Sequence, residues 1–75
     1  MTSVKKHTFV LEVDEDEGVL TLGDGSRWNI NLADVLNVVL WLPSENVLVE
    51  QCDDEMFSHK ITNIDNQEQV LACPL

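Results

Sequence analysis

The side chains best suited to covalent chemistry in this sequence are two cysteines, Cys52 and Cys73, and two histidines, His7 and His59. A cysteine becomes a catalytic nucleophile when a neighbouring base favours its thiolate. These four residues are isolated from one another, and neither cysteine belongs to a motif that would place a base or an oxyanion donor beside it. We therefore interpret both cysteines as reduced, buried thiols, since a disulfide would require their strands to pair. The sequence predicts no catalytic residue and a protein that is not an enzyme.

The carboxylates and glycines also lack the spacing of a cofactor or metal site. Acid–base catalysis needs two carboxylates held in a cleft in different environments, but here they cluster in predicted turns. Zinc sites draw ligands from close pairs of cysteine or histidine, and "DEDEG" lacks the glycine and glutamate positions of a calcium loop. In "LGDGS", from Leu22 to Ser26, an aspartate stands where a phosphate would bind. We expect no cofactor and no metal.

The charge balance restricts the class of partner. Fourteen acidic residues stand against four basic ones, for a net charge of −10. This balance argues against binding nucleic acid, which requires clustered lysine and arginine, and against anionic membrane surfaces. We interpret the acidic segments as solvated loops. If the hairpin ends lie close together in space, they would instead form a negative patch that could bind a basic protein. The residues of this candidate acidic patch are Asp14, Glu15, Asp16, Glu17, Asp53, Asp54 and Glu55.

Turn signals divide the chain into six short strands. The "DEDEG" turn and the Asp24-Gly25 pair favour hairpins, and alternation of apolar and polar residues indicates strands with one buried face. The predicted strands cover residues 7–14, 19–22, 27–32, 46–53, 57–64 and 69–75. The predicted inward faces carry Phe9, Leu11 and Val13 on the first strand, Trp28, Ile30 and Leu32 on the third, and Phe57, His59, Ile61 and Asn63 on the fifth.

The alternation stops in "ADVLNVVLWLP", where Val38 through Leu42 are all apolar. We predict a short helix or 3₁₀ segment over residues 35–41, with Asp34 as its N-cap and Pro43 after its end. A strand is the competing interpretation, because valines dominate. The segment either plugs one end of the sheet or presents an apolar surface to a partner. The candidate interface residues are Val39, Leu40, Trp41 and Leu42. Trp41 has a second possible role, in which it closes one end of the barrel while Trp28 fills its interior.

The motifs "DGSRW" from Asp24 to Trp28, "VVLW" ending at Trp41, "NVLVEQ" and "ITNIDNQEQVLA" together resemble a pattern in small bacterial proteins. Those proteins look like SH3-like β-barrels, and most carry no assigned function. The resemblance covers residues 19–72 and also includes Asp34. It departs at "LPSEN", where the pattern has a glycine-aspartate turn, and at Lys60 and Ile61, where it often has an aromatic residue. More loosely, the chain resembles the orphan products of mobile gene cassettes. The resemblance implies a fold and no chemistry.

Together these observations predict an all-β protein, a small antiparallel SH3-like barrel of five to six strands with one short helical or 3₁₀ segment. The chain would form one domain over residues 1–75, with residues 1–6 as a mobile tail. No signal peptide or membrane span is evident, which favours the cytoplasm. The leading functional hypothesis is a non-enzymatic interaction module, homodimeric through its apolar segment or an open strand edge. The alternative is an acidic decoy that mimics nucleic acid and binds a basic protein.

Overall fold

The computed structural model describes residues 5–75 as six β-strands and one short helical segment. The strands are β1 (Lys5–Asp14), β2 (Val19–Leu22), β3 (Arg27–Ile30), β4 (Asn46–Gln51), β5 (His59–Asn63) and β6 (Glu68–Pro74). A 3₁₀ turn (Leu32–Asp34) leads directly into helix α1 (Val35–Val38) between β3 and β4. The prediction of a small antiparallel barrel with one short helical segment is confirmed, with six strands.

The strands close into a barrel in the order β1-β2-β3-β6-β5-β4, and every neighbouring pair is antiparallel. Strand β1 closes it because its ten residues pair twice. Its first half, through Phe9, pairs with β4, and its second half, from Val10, pairs with β2. Closure leaves no open edge in the described sheet, so the prediction of pairing through an open strand edge is wrong.

The start of β1 also changes the predicted tail. Lys5 pairs with Glu50 and Lys6 with Val49 on β4, so two residues of the expected mobile segment belong to the barrel. Residues 1–4 of that segment lie outside the described residues. The described part of the barrel therefore begins two residues before the predicted first strand.

A β-bulge in β1 makes the predicted inward face of that strand wrong at Phe9 and Leu11, whereas the inward prediction for Val13 is confirmed. The register shifts between Val10 and Glu12, so Leu11 has no partner on β2. Because one extra residue exchanges the two faces of a strand, Val10 is buried in the core and Val13 packs against it, while Leu11 is exposed. Phe9 is 42% exposed, and its ring lies so close to Gly23 that a side chain at Gly23 would collide with it.

The core fills the barrel and contains both tryptophans. Its apolar members come from all six strands and from the helical segment: Val10, Leu20, Leu22, Trp28, Ile30, Val38, Trp41, Val47, Val49, Ile61, Val70 and Ala72. The predicted inward positions of Trp28, Ile30, Ile61 and Asn63 are confirmed, and Asn63 is the buried polar residue among them. The two tryptophans are therefore part of the frame of the barrel.

The helical segment covers one part of the barrel with Val38 and Trp41. After α1, the bonds from Leu40 N to the Asn37 carbonyl (3.2 Å) and from Trp41 N to the Val38 carbonyl (2.9 Å) continue the turn. The helical interpretation is confirmed over Val35–Val38, and the competing strand interpretation is wrong for these residues. Trp41 Nε1 donates to Glu68 Oε1 at 2.8 Å, which ties the segment to β6.

Two predictions at the start of this segment are wrong. Strand β3 ends at Ile30, so Leu32 lies in the 3₁₀ turn and is exposed instead of facing inward. Asp34 does not cap α1 with its side chain. Its carboxylate accepts a hydrogen bond from Leu71 N on β6 (3.1 Å), whereas Asn31 caps the 3₁₀ turn by accepting from Ala33 N (3.3 Å). A carboxylate fixed to β6 holds the segment against the barrel.

The motif "DGSRW" is a hydrogen-bonded turn that positions a tryptophan. Gly25 adopts a φ of +89°, which glycine tolerates without strain. Ser26 donates through both its Oγ (2.6 Å) and its N (3.0 Å) to Asp24 Oδ1, and Trp28 Nε1 donates to Ser26 Oγ (2.9 Å). Lys6 of β1 pairs with the other carboxylate oxygen of Asp24. The side chains of Asp24 and Ser26 are therefore both hydrogen-bonded within the barrel.

This turn predicts a specific dependence of stability on acidity. Hydrogen bonds from Lys6 first and Ser26 second lower the pKa of Asp24 from 3.8 to about 2. A carboxylate whose pKa falls on folding stabilises the protein above its unfolded pKa, and that contribution is lost as the pH falls from about 4 through about 2. We expect Asp24→Asn to reduce the free energy of unfolding at neutral pH and to have progressively less effect toward pH 2.

Urea unfolding followed by circular dichroism at a series of pH values measures this difference. Asp16→Asn is the matched control, because Asp16 is exposed and forms no ion pair within residues 5–75. A destabilisation by Asp24→Asn that stays constant down to pH 2 would contradict the assignment of the ion pair with Lys6.

Candidate functional site

Four leucines of the helical segment and the turn after it form an exposed apolar surface, here called the leucine surface. Leu32, Leu36, Leu40 and Leu42 are 86%, 76%, 73% and 64% exposed. Residues four apart lie on the same side of a helix, so Leu32, Leu36 and Leu40 share the outer side while Val38 and Trp41 face the core. Proteins of this size rarely leave so many large apolar side chains together in water without a partner.

The predicted interface agrees with this surface only in part. Leu40 and Leu42 are exposed, as predicted, and Val39 is half-buried. Trp41 is 3% exposed, so its assignment to the interface is wrong, because its ring is needed to fill the core. Leu32 and Leu36 belong to the surface and were missed. The four-residue spacing of Leu32, Leu36 and Leu40 is the sequence signal that identifies them.

A second surface feature is a groove of about 550 Å³ whose borders contain both acidic segments, here called the acid-rimmed groove. Its residues are Glu15, Asp16, Glu17, Gly18, Asn29, Ile30, Asn31, Leu32, Val35, Asp54, Met56, Phe57 and Leu71. The apolar members come from β3, the helical segment, the β4–β5 loop and β6. The acidic members come from the β1–β2 turn and the β4–β5 loop, which are far apart in sequence.

The barrel order explains how the two acidic segments meet. The β1–β2 turn adjoins β3, because Ile30 N donates to the Gly18 carbonyl at 2.9 Å. The β4–β5 loop adjoins β6, because Cys73 Sγ lies 3.5 Å from the Met56 carbonyl. Strands β3 and β6 are neighbours, with Asn29 opposite Cys73. The two loops therefore flank a floor that includes residues of β3 and β6.

Four of the seven residues of the predicted acidic patch border the groove. Glu15, Asp16, Glu17 and Asp54 border it. Asp54 also accepts from Met56 N (2.9 Å) and Phe57 N (3.1 Å), which fixes the β4–β5 loop. The remaining three residues, Asp14, Asp53 and Glu55, do not line the groove. The Asp14 carboxylate accepts from Glu17 N at 3.1 Å.

The basic residues of the barrel do not neutralise this rim. Lys5 and Lys60 lie 3.9 Å and 3.6 Å from the carboxylate oxygens of Glu50, and Lys6 pairs with Asp24. Within residues 5–75, none of the carboxylates that border the groove forms an ion pair with a lysine or arginine. The groove therefore combines apolar side chains with uncompensated negative charge.

The cysteines and histidines do not assemble into a catalytic pair in the part of the chain that the structure describes. Cys52 Sγ lies 3.6 Å from the Phe57 carbonyl, and both thiols are free. Cys52 follows the end of β4, and Cys73 lies on β6. Strand β5 separates β4 from β6, so the strand pairing that a disulfide would require is absent.

The two histidines lie in different environments. His59 packs edge-on against Trp28, with ring centroids 4.9 Å apart, and its Nδ1 lies 2.7 Å from Ser58 Oγ. His7 is exposed on β1. Among residues 5–75, no group of three or more histidine, cysteine, aspartate or glutamate side chains is arranged to hold a metal ion.

No helix in residues 5–75 is long and apolar enough to cross a membrane. Comparisons with protein-family models, with curated proteins and with solved structures found no match to this chain. The resemblance to small bacterial SH3-like barrels with a "DGSRW"-type motif therefore stays a prediction. The groove and the leucine surface are the two candidate functional sites that the structure offers.

Proposed function

We propose that this protein is a non-enzymatic protein–protein interaction module that forms a homodimer through the leucine surface. The observation that carries the proposal is the exposure of Leu32, Leu36, Leu40 and Leu42 within a segment of eleven residues. A second copy of the chain is the occupant that fits best, because a two-fold interface brings one apolar patch against itself and needs no other complementary surface.

The burial of these leucines contributes a free energy comparable to the cost of association. Fully burying one leucine contributes about 1.5–3 kcal/mol, so eight largely exposed leucines in a dimer contribute on the order of 10 kcal/mol. Association itself costs about 4–15 kcal/mol. The two figures are similar in size, so the dimer would be of modest affinity, and the loss of any one leucine would shift the equilibrium measurably.

Charge does not oppose contact at this surface. The net charge of −10 repels a second copy at long range, but residues 35–44 contain no charged side chain. The two carboxylates that flank these residues in sequence are bound to backbone amides, that of Asp34 to Leu71 N (3.1 Å) and that of Glu45 to Leu42 N (2.7 Å). Because salt screens the long-range repulsion and strengthens apolar burial, we expect the dimer to tighten as salt rises.

Replacement of Leu40 or Leu42 by lysine tests the proposal. We expect Leu40→Lys and Leu42→Lys each to shift the protein to the monomer, because a buried interface would then hold an unpaired ammonium. Sedimentation velocity measures the shift, and Leu75→Lys is the matched control, since Leu75 is equally exposed and lies outside the leucine surface. Dimers that survive both Leu40→Lys and Leu42→Lys would overturn the assignment of the interface.

A second candidate function, an acidic decoy that binds a basic protein, is favoured by one observation. The β1–β2 turn and the β4–β5 loop bring Glu15, Asp16, Glu17 and Asp54 to the same groove. Carboxylates held at the ends of strands can imitate the phosphates of a nucleic acid, and such binding weakens steeply as salt rises. The proposed compartment is the cytoplasm, where both free thiols would stay reduced.

A further inference from the structure

We propose that the acid-rimmed groove binds a short peptide segment in which apolar side chains are flanked on both sides by lysine or arginine. The inference rests on the second candidate function, in that the partner is a basic protein. It does not require the homodimer, although the groove and the leucine surface share Leu32. It names the part of that partner which the groove would recognise. A linear segment would bind here, whereas a decoy would cover the broad basic face that contacts nucleic acid.

The floor of the groove requires apolar groups in the ligand. Leu32, Val35, Met56, Phe57 and Leu71 contribute to it. Met56 and Leu32 are among the most exposed large apolar side chains of residues 5–75, so a ligand that covers them gains from their removal from water. A purely ionic partner would leave these side chains in contact with solvent.

The walls of the groove require positive charge on two sides of that apolar part. Glu15, Asp16 and Glu17 stand on the wall next to β3, and Asp54 stands on the wall next to β6. No lysine or arginine of residues 5–75 forms an ion pair with these four acidic residues. Their charges are therefore available to a cationic ligand, although Asp54 Oδ2 also accepts from Met56 N and Phe57 N. The order across the groove is negative, apolar and negative, and its complement is a cationic, apolar and cationic segment.

The size of the groove agrees with a segment of this kind. Its volume of about 550 Å³ falls within the range of about 300–1,000 Å³ that is typical of ligand sites in proteins. The volume accommodates a few side chains and no folded domain. The groove would therefore bind an exposed tail or loop of the partner, and the carboxylates would speed the encounter at low salt.

Two capped peptides of equal charge test the inference, Lys-Lys-Leu-Leu-Lys-Lys and Lys-Lys-Ser-Ser-Lys-Lys. We expect the leucine peptide to bind at least about tenfold more tightly than the serine peptide, because only the leucine peptide covers the apolar floor. We also expect both affinities to fall as salt rises. Isothermal titration calorimetry on the full-length protein measures both affinities.

Matched variants locate the binding. Met56→Ser should remove most of the preference for the leucine peptide, whereas Leu75→Ser, at an equally exposed leucine outside the groove, should leave it unchanged. Asp16→Asn should weaken both peptides, whereas Glu12→Gln, at an exposed carboxylate of β1 outside the groove, should not. Circular dichroism of each variant verifies the fold, and these side chains are exposed enough for the barrel to tolerate their replacement.

The other outcomes are informative. Equal affinity for the two peptides would overturn the inference and leave the decoy function standing. A preference for leucine that survives Met56→Ser would overturn it as well, because the apolar contact would then lie elsewhere on the protein. No binding of either peptide would overturn the inference alone, because a decoy contacts a broad folded face and is tested by the salt dependence of its binding to a basic protein. The homodimer would stand on its own test.

Discussion

Trp41→Ala is expected to lower the free energy of unfolding by about 3–5 kcal/mol, the usual cost of removing a buried tryptophan. A 75-residue protein has a total stability of about 4–11 kcal/mol at the usual ~0.05–0.15 kcal/mol per residue, so this substitution leaves the barrel barely folded. The reason is that Trp41 is almost fully buried and closes the core beside Val38. Urea unfolding followed by far-ultraviolet circular dichroism measures the change.

Leu40→Ala is the matched control for Trp41, one residue earlier in the same turn. Because Leu40 is exposed, its replacement should change the stability of the monomer by no more than about 0.5 kcal/mol. Trp41→Phe keeps most of the ring and loses the bond from Nε1 to Glu68 Oε1 (2.8 Å), for which we expect a cost of about 1.5–3 kcal/mol. Equal effects of Trp41→Ala and Leu40→Ala would contradict the separation of core from surface in this segment.

Asn63→Ala is expected to cost about 3 kcal/mol, because it leaves several partners of a buried amide without a hydrogen bond. Asn63 is fully buried. Its Oδ1 accepts from Asp65 N (3.0 Å) and Asn66 N (3.2 Å), and its Nδ2 donates to Glu45 Oε1 (3.1 Å). The side chain therefore holds the β5–β6 turn and the segment before β4 together.

The measurement is again chemical unfolding, with Gln69→Ala as the control at an exposed position on β6. The Asn63 variant should also loosen the end of the leucine surface, because Glu45 Oε1 accepts from Leu42 N (2.7 Å) as well as from Asn63. Hydrogen exchange at the Leu42 amide should therefore be faster in Asn63→Ala. A loss of stability no greater than that of Gln69→Ala would contradict the structural role of this amide.

Alternation and turn chemistry predicted most of the barrel. The Asp24-Gly25 turn, the buried faces of β3 and β5 and the change to a helical segment after Asp34 all follow from local rules that the structure obeys. The closed order of strands does not follow from local rules, because β1 contributes to two pairings and only three-dimensional packing decides where it pairs. The sequence allowed an open strand edge that could pair with a second copy, and the closed barrel has none among the described strands.

The errors lie where a single residue changes the geometry. The bulge at Leu11 exchanges the faces of β1, and alternation alone gives no sign of it. The early end of β3 turns Leu32 outward, so an apolar residue at an apparently inward position became part of the leucine surface. Asp34 has the residue type and position of an N-cap, but its carboxylate accepts a hydrogen bond from the amide of Leu71, on a strand far away in sequence. Tertiary contacts decided each of these positions.

The candidate sites were predictable to different degrees. Leu40 and Leu42 were identified because one small barrel cannot cover so long an apolar run. The acidic residues were identified from their type. The patch was predicted only if the two acidic segments meet, and residues of both segments border the groove. The apolar floor between them was not predicted, because Leu71 and Met56 come from elements whose proximity depends on the order of β3 and β6 in the barrel.

The central claim, that the leucine surface joins two copies of this chain, is tested most directly by the molar mass in solution. Multi-angle light scattering of the wild-type protein at low and at high salt gives that mass. The homodimer predicts twice the 8.5 kDa of one chain, with the dimer fraction rising as salt increases. A mass of 8.5 kDa at both salt concentrations, at protein concentrations well above micromolar, would contradict it.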